Sequence, residues 1–408
     1  MTLMIAPYDV RYGLKEFWAA LHGLARPLPS IASDWLPFFR RQGLEVFPTH
    51  RGREAEYALL RALHLPVGAR VGVPVLTHPV VWQTILAAGM QPVFLDTDPF
   101  TLGLSLTDLE RKNAQLDCLI LVHTFGYPAD FDAVARIMGQ RPILEDCAHT
   151  LGSTYYGRPL GTLGTGGFFT FLFSKPLSAG GGGCAVVSDE VVAKRVKALL
   201  HEGRHESLLQ GVTHALANFS IALAYKRPFY PLLTLLTYNQ RYRELSGHVP
   251  YPVSSLLQMR RSDWAVVSAR VTRWNSALKK KDTFWDDIRN NAPSNWYIPP
   301  EPAYGSWNHW LLPVCPTSEE SALQSVSFLR KRGVGARMIY RYSPDGARYH
   351  GYKGDCPVAE RLARTVFILP AHAGLSARSK ECISFCVRAL RDGTGSKSTS
   401  KSAMANVA

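Results

Sequence analysis

The sequence predicts an α/β fold: a large domain built on a mainly parallel sheet flanked by helices, followed by a smaller C-terminal α/β domain. Three observations support this. Helical and short apolar segments take turns from about residue 54 to 190, the apolar segments end in polar or glycine residues, and a second alternation runs from about 305 to 391. Such alternation marks a parallel sheet covered on both faces. With 408 residues and 46% hydrophobic content, the chain can fill two such domains at roughly 100–200 residues each.

Residues 1–45 form an N-terminal segment. Its opening, MTLMIAPYDVRYGLKEF, meets Asp9 and Arg11 before a sustained apolar core can form, so it does not read as a signal peptide, and a cytoplasmic location is expected. Residues 46–210 read as the large domain. AEYALLRALHL and VVWQTILAAGM are helical, whereas RVGVPVL, PVFLDTD, LDCLILVHTFG, PILEDCAH and FFTFLF are strand-like. The strands end at Thr77 and His78, Asp96 and Asp98, His123 and Gly126, and Asp146. Ligands of open α/β sheets bind beyond the carboxyl ends of the strands, so these termini are where chemistry is expected. The helix VVAKRVKALLHEG follows.

Residues 211–250 hold an apolar insert. Its block 213–239 splits at Lys226, Arg227 and Pro228 into ALANFSIALAY and PFYPLLTLLTY, each of eleven residues, short of the ~20 that span a bilayer as a helix. It reads either as a buried helical hairpin or as a monotopic insert dipping into an anionic leaflet, a peripheral membrane contact on the inner face of the cytoplasmic membrane. Residues 251–391 supply a helical connection and the small domain, with WNHWLLPV and TVFILPA as strands and ALQSVSFLRKRG and SKECISFCVRALRD as helices. The tail 392–408 is polar and small, and disorder is expected there.

The formal charge of +14 calls for an anionic partner: nucleic acid, an acidic membrane face or a phosphorylated substrate. Nucleic acid is not expected, because the chain has no zinc-finger spacing, glycine-aromatic RNA-binding motif or dense Lys/Arg tract. Seven scattered cysteines, with no C-x-x-C pair, point to a reducing compartment and no structural metal.

Asp146 closes PILED, and Lys175 follows FFTFLF 29 residues later. Two adjacent strand ends can set a carboxylate and an amine on one ligand. Singly, the aspartate reads as a helix cap and the lysine as a solvated side chain; the surrounding sequence decides. ALLRALHLPVGARVGVPVLTH, AAGMQPVFLDTDPFTLGLSLTDLE, LVHTFGYPADFDAV, ILEDCAHTLGSTYYGRPLGTLGTGGFFTF, SKPLSAGGGGCAVVSD and CPVAERLARTVFILPAHAGLS together resemble the DegT/DnrJ/EryC1/StrS family of sugar aminotransferases over roughly residues 45 to 390.

The resemblance implies the fold type I architecture of pyridoxal 5'-phosphate (PLP) transferases, with a seven-stranded type of sheet, a homodimer, and PLP as cofactor. A carboxylate keeps the cofactor's pyridine nitrogen protonated and a lysine holds its aldehyde as an imine, later acting as a base. Residue by residue, Lys175 stands at the lysine position, Asp146 at the pyridine nitrogen, His149 at the position bordering the ring, and Thr170 where a serine is usual. Arg51, Gly52 and Arg53 stand where Ser-Gly-Thr cradles the phosphate at a helix start, and His78 stands where an aromatic stacks on the ring. The family's Glu in its Gly-Glu-Gly-Gly segment is Gly181 here. Two stretches compete for the segment that reaches the partner subunit's cofactor, one nominating Asn239 and the other Arg260. The implied reaction moves an amino group, with glutamate as the expected donor, to a nucleotide-linked keto sugar in polysaccharide or amino-sugar biosynthesis. The alternatives are a PLP-dependent keto-deoxysugar dehydratase, against which Lys175 speaks because histidine replaces it in those relatives, and an inactive membrane-bound scaffold.

Overall fold

The computed structural model describes residues 4–10, 12–26, 43–201, 207–225, 229, 256, 258–277, 283–372 and 374–393. The large domain contains α1 (Leu14–Leu24), β1 (Glu45–Thr49), α2 (Gly52–Ala62), β2 (Arg70–Pro74), α3 (Val80–Ala87), β3 (Gln91–Leu95), α4 (Leu106–Lys112), β4 (Cys118–Val122), α5 (Phe131–Met138) and β5 (Ile143–Asp146). The chain continues through β6 (Thr154–Tyr155), β7 (Arg158–Pro159), β8 (Gly166–Thr170), β9 (Gly183–Val187), α6 (Glu190–His201), α7 (Leu208–Ala224) and α8 (Arg261–Ala277). Then come α9 (Phe284–Asn291), β10 (Trp296–Tyr297), β11 (Gly305–Ser306), β12 (Leu311–Pro316), α10 (Glu319–Lys331), β13 (Arg337–Met338), α11 (Ser343–Arg348), α12 (Pro357–Thr365), β14 (Phe367–Pro370) and α13 (Ala377–Arg391).

The central sheet has seven strands in the order β1-β9-β8-β5-β4-β2-β3. β9 pairs antiparallel with both β1 and β8, whereas the pairs β2/β3, β2/β4, β4/β5 and β5/β8 are parallel. Successive strand side chains point to opposite faces, and both faces are covered. Ile120 and Val122 of β4 enter one hydrophobic core with α2 and α3, while Leu119 and Leu121 enter a second core with α5 and α8. This double burial is why these strands read as continuous apolar runs.

The small domain is a four-stranded antiparallel sheet, β10-β12-β14-β13. Polar clamps tie it to the large one. Asp96, just past β3, accepts from the amides of Val358 (3.3 Å) and Ala359 (2.8 Å) in the first turn of α12, and Ser343 Oγ donates to Thr77 O (2.7 Å). The N-terminal segment joins both domains: Tyr12 and Ala20 belong to the second core, whereas Ile5 bridges Val334 and Tyr8 stacks on Trp310.

Of the apolar insert, the first run lies in α7 and its C-cap Tyr225, the helix beginning with a capping box formed by Ser207 and Gln210; the second run, apart from Phe229, lies outside the described residues. Among the described residues, no helix is long and apolar enough to cross a membrane. The strand read from FFTFLF ends at Thr170, and the three residues Phe171, Leu172 and Phe173 lead on to the lysine.

Candidate active site

The carboxyl ends of β5 and β8 and the start of α2 bring the expected site residues together. Asp146 ends β5 and is buried, with its Oδ1 accepting from the Ala148 amide at 2.9 Å. Burial raises its pKa, while that amide and the nearby Lys175 ammonium pull it back. Lys175 answers the same field: desolvation lowers its amine from 10.5 to about 8, and the Asp146 carboxylate limits the fall.

Two imidazoles share this environment. His149 is held neutral, first by burial and then by Lys175 and His78. His78 falls to about 3 through burial, Lys175 and Arg53; its Nδ1 accepts from the Val80 amide at 3.2 Å. Lys175, Asp146, His149, His78 and Arg53 therefore occupy one electrostatic neighbourhood.

The phosphate segment is built by close backbone approach. Arg51, in extended conformation, caps α2 without a side-chain bond and bridges Gly182. A side chain at Gly52 would place its Cβ 2.8 Å from Thr170 Cβ and 3.2 Å from Phe169 O, so only glycine lets the helix start lie against β8. The result is a helix N-terminus with Thr170 and Arg53 beside it, a donor set suited to a phosphate. Family aminotransferases use PLP, and these residues fit it: a buried carboxylate and a desolvated amine that feel each other's charge, with an anion cradle at the helix start.

Glu145, the residue before Asp146, fixes the strand end. It is fully buried and accepts from the amides of Gly161 (2.8 Å), Leu163 (2.7 Å) and Gly164 (2.9 Å), and it pairs with His123 Nε2 at 3.1 Å. The Ala129 amide donates to His123 Nδ1, which puts the ring proton on Nε2, facing Glu145. Cys147 lies close enough to complete a three-residue metal-like cluster, but the histidine and glutamate atoms are committed to these bonds, so the cluster is a structural brace.

Sequence reasoning missed the support behind His149. Trp310 packs on its ring with centroids 4.9 Å apart, and Asn308 Nδ2 donates to the carbonyls of His149 (2.7 Å) and Leu151 (3.1 Å). The only local signal is an asparagine between two tryptophans just before β12. Arg260 stands beside His50, its Nη1 3.3 Å from Nδ1, one residue before Arg51. Burial and then Arg260 lower His50 to about 3. Asn239 lies outside the described residues. Where the family has its glutamate, a Cβ on Gly181 would meet Asp263 Oδ2 at 2.4 Å; that buried carboxylate pairs through Oδ1 with His214 Nε2 at 2.8 Å.

Known proteins match this architecture. GDP-perosamine synthase of Escherichia coli O157:H7 is 33% identical over 147 residues, 35% of this chain and 40% of that protein. The L-glutamine:2-deoxy-scyllo-inosose aminotransferase of Streptomyces fradiae is 33% identical over 160 residues, 38% of each. The matched stretch thus spans about two fifths of these relatives. Among solved structures, the aminotransferase TlmJ from Streptoalloteichus hindustanus has the same fold with a TM-score of 0.76 at 21% identity, covering 96% of this chain and 100% of that one. Residues 46–388 match a single family along their whole length: the chain belongs to the DegT/DnrJ/EryC1/StrS aminotransferase family.

Proposed function

We propose that this chain is a PLP-dependent aminotransferase that moves an amino group from an amino acid, glutamate in our reading, to the keto carbon of a nucleotide-linked sugar. The observation that carries the reading is the coupling of a buried carboxylate, Asp146, to a desolvated amine, Lys175, at the carboxyl ends of β5 and β8. Family membership and the nucleotide-sugar name of the Escherichia coli relative support the substrate class, and a net charge of +14 suits a diphosphate.

PLP supplies an electron sink for the carbon that loses its proton. The chain's own residues do the rest. Lys175 would hold the cofactor's aldehyde carbon and would hold or move a proton at Nζ; its lowered pKa leaves part of the amine unprotonated near neutrality. Asp146 would hold the pyridine nitrogen protonated. His149, braced by Trp310 and Asn308, and His78 would border the ring as neutral imidazoles. Gly52, Arg53 and Thr170 would take the phosphate. The second subunit of a homodimer would complete the site, with Arg260 as the described contact.

The test is the absorbance of the purified chain with PLP, before and after glutamate, beside Lys175→Ala. The yellow band of lysine-bound cofactor should form and bleach with glutamate in the wild type only. Amination of a nucleoside-diphosphate keto sugar should follow in the second half-reaction. No band with the wild-type chain would overturn the reading.

A further inference from the structure

Helices α1 and α7 lie side by side on the large domain, joined by Phe17 and Phe219 with ring centroids 5.4 Å apart. Their buried faces pack into the second core through Ala20, Ala215 and Ala222. Their outward faces are unusual for a water-facing surface. The seventeen residues of α7, LLQGVTHALANFSIALA, include no Asp, Glu, Lys or Arg, although exposed helix faces are ordinarily charged. Leu209 (73% exposed), Leu216 and Leu223 stand outward along this helix. The outward edge of α1 adds Leu14 and Trp18, the latter 58% exposed. Large apolar side chains exposed on two adjacent helices mark an interaction site.

On the described parts of these two helices and their ends, the charged side chains that stand exposed are basic. Lys15, on α1, and Arg26, just past its end, are exposed, and the acidic residue of α1, Glu16, turns back to accept from the Gly13 amide at 2.9 Å. Leucines and a tryptophan flanked by basic side chains form the composition that seats a helix in the headgroup region of an anionic bilayer. The chain's net charge of +14 has the same sign; in the sequence Lys226-Arg227 follows Tyr225 at the end of this helix, and Glu202, Arg204 and Glu206 precede its start. A two-fold contact between copies would set this patch against itself and oppose Lys15 and Arg26 to their own kind. From the uncharged outward face of α7, the Trp18 edge of α1 and the basic rim, we propose that this face docks flat on an anionic phospholipid surface. The contact is built by described helices of the folded domain and does not depend on a membrane-spanning segment.

The test is co-sedimentation of the full chain with vesicles of phosphatidylcholine containing phosphatidylglycerol, against vesicles of pure phosphatidylcholine. The wild type should sediment with the anionic vesicles and be released by high salt. Leu209→Ser/Leu216→Ser/Leu223→Ser should weaken partitioning by at least about tenfold, since exposed leucines lose the apolar area that enters the interface. Lys15→Glu/Arg26→Glu should weaken it by about fivefold or more per charge. All five positions are exposed, and a thermal melt on each variant checks that the fold is intact. Three results would each overturn the proposal: no sedimentation of the wild type with anionic vesicles, unchanged binding in the leucine variant, or a wild-type dimer that the leucine variant converts to monomer without any vesicle binding. The last would assign the face to a second copy.

Discussion

Replacing Asp146 by asparagine separates two effects that the site couples. Burial lowers the Lys175 amine from 10.5 to about 8, and the Asp146 carboxylate opposes that fall. At about 8, roughly a quarter of the amine is neutral at pH ~7.5, against about one part in a thousand at its ordinary value. Asparagine keeps the shape and removes the charge, so Lys175 should titrate below about 8. The neutral fraction at pH ~7 then rises by up to about tenfold, and so does the rate at which the cofactor-free chain captures PLP. If Asp146 has the role proposed for it at the pyridine nitrogen, turnover should move the other way, falling by about a hundredfold or more. Stopped-flow absorbance on adding PLP, taken from about pH 6 to 9, reads the midpoint directly. A wild-type capture rate flat across that range would show that Lys175 is not desolvated; an Asp146→Asn variant whose midpoint stays or rises would show that the two groups are uncoupled. The same shift carries a stability signature. Between about 8 and the ordinary 10.5 the unfolded chain binds the extra proton, so the cofactor-free protein gains stability as pH rises through that window.

Glu145→Gln turns an amide nitrogen toward a set of buried backbone donors and should lower stability by about 3–5 kcal/mol in urea denaturation; a loss under about 1 kcal/mol would show that the brace is dispensable. Restoring the family's acid with Gly181→Glu forces a carboxylate against Asp263 Oδ2, 2.4 Å from the new Cβ. Stability should fall by about 3 kcal/mol, and adding Asp263→Ala should recover at least half of it, whereas strictly additive losses would refute the steric account. Glu56, in α2, is 1% exposed with Oε1 unpartnered, and burial raises its pKa well above 4.5. Its folded form retains a proton that the unfolded chain releases, so wild-type stability declines as pH rises from about 4.5 through the raised value. Glu56→Gln removes that dependence and should be more stable by about 1–3 kcal/mol near pH ~8, with the advantage vanishing in acid; an advantage independent of pH would point to packing instead.

Most of the fold was legible in the chain because it is written locally. Alternation of helix and strand between residues 54 and 190, and again beyond 305, reappears as the seven-stranded and four-stranded sheets, since period and turn chemistry are properties of neighbouring residues. β1 was harder to read, because its five residues gain their identity from pairing with β9, over 130 residues away. The N-terminal helix α1 was likewise silent until its Ala20 face met α8 and α7.

The site divides in the same way. Asp146, Lys175, Gly52 and Arg53 could be nominated by the sequence itself, because strand ends, a glycine before a helix and the motifs around them are contiguous text. What the tertiary structure alone decided is their environment. The lowered pKa of Lys175 comes from burial, which no local window contains. Trp310 and Asn308 reach His149 across more than 150 residues, and Asp263 fills the space that glycine leaves at position 181. Local pattern determines which groups are present at the strand ends. Long-range packing determines how dry they are, what braces them and which face remains open, because desolvation and contact depend on distance in space and not along the chain.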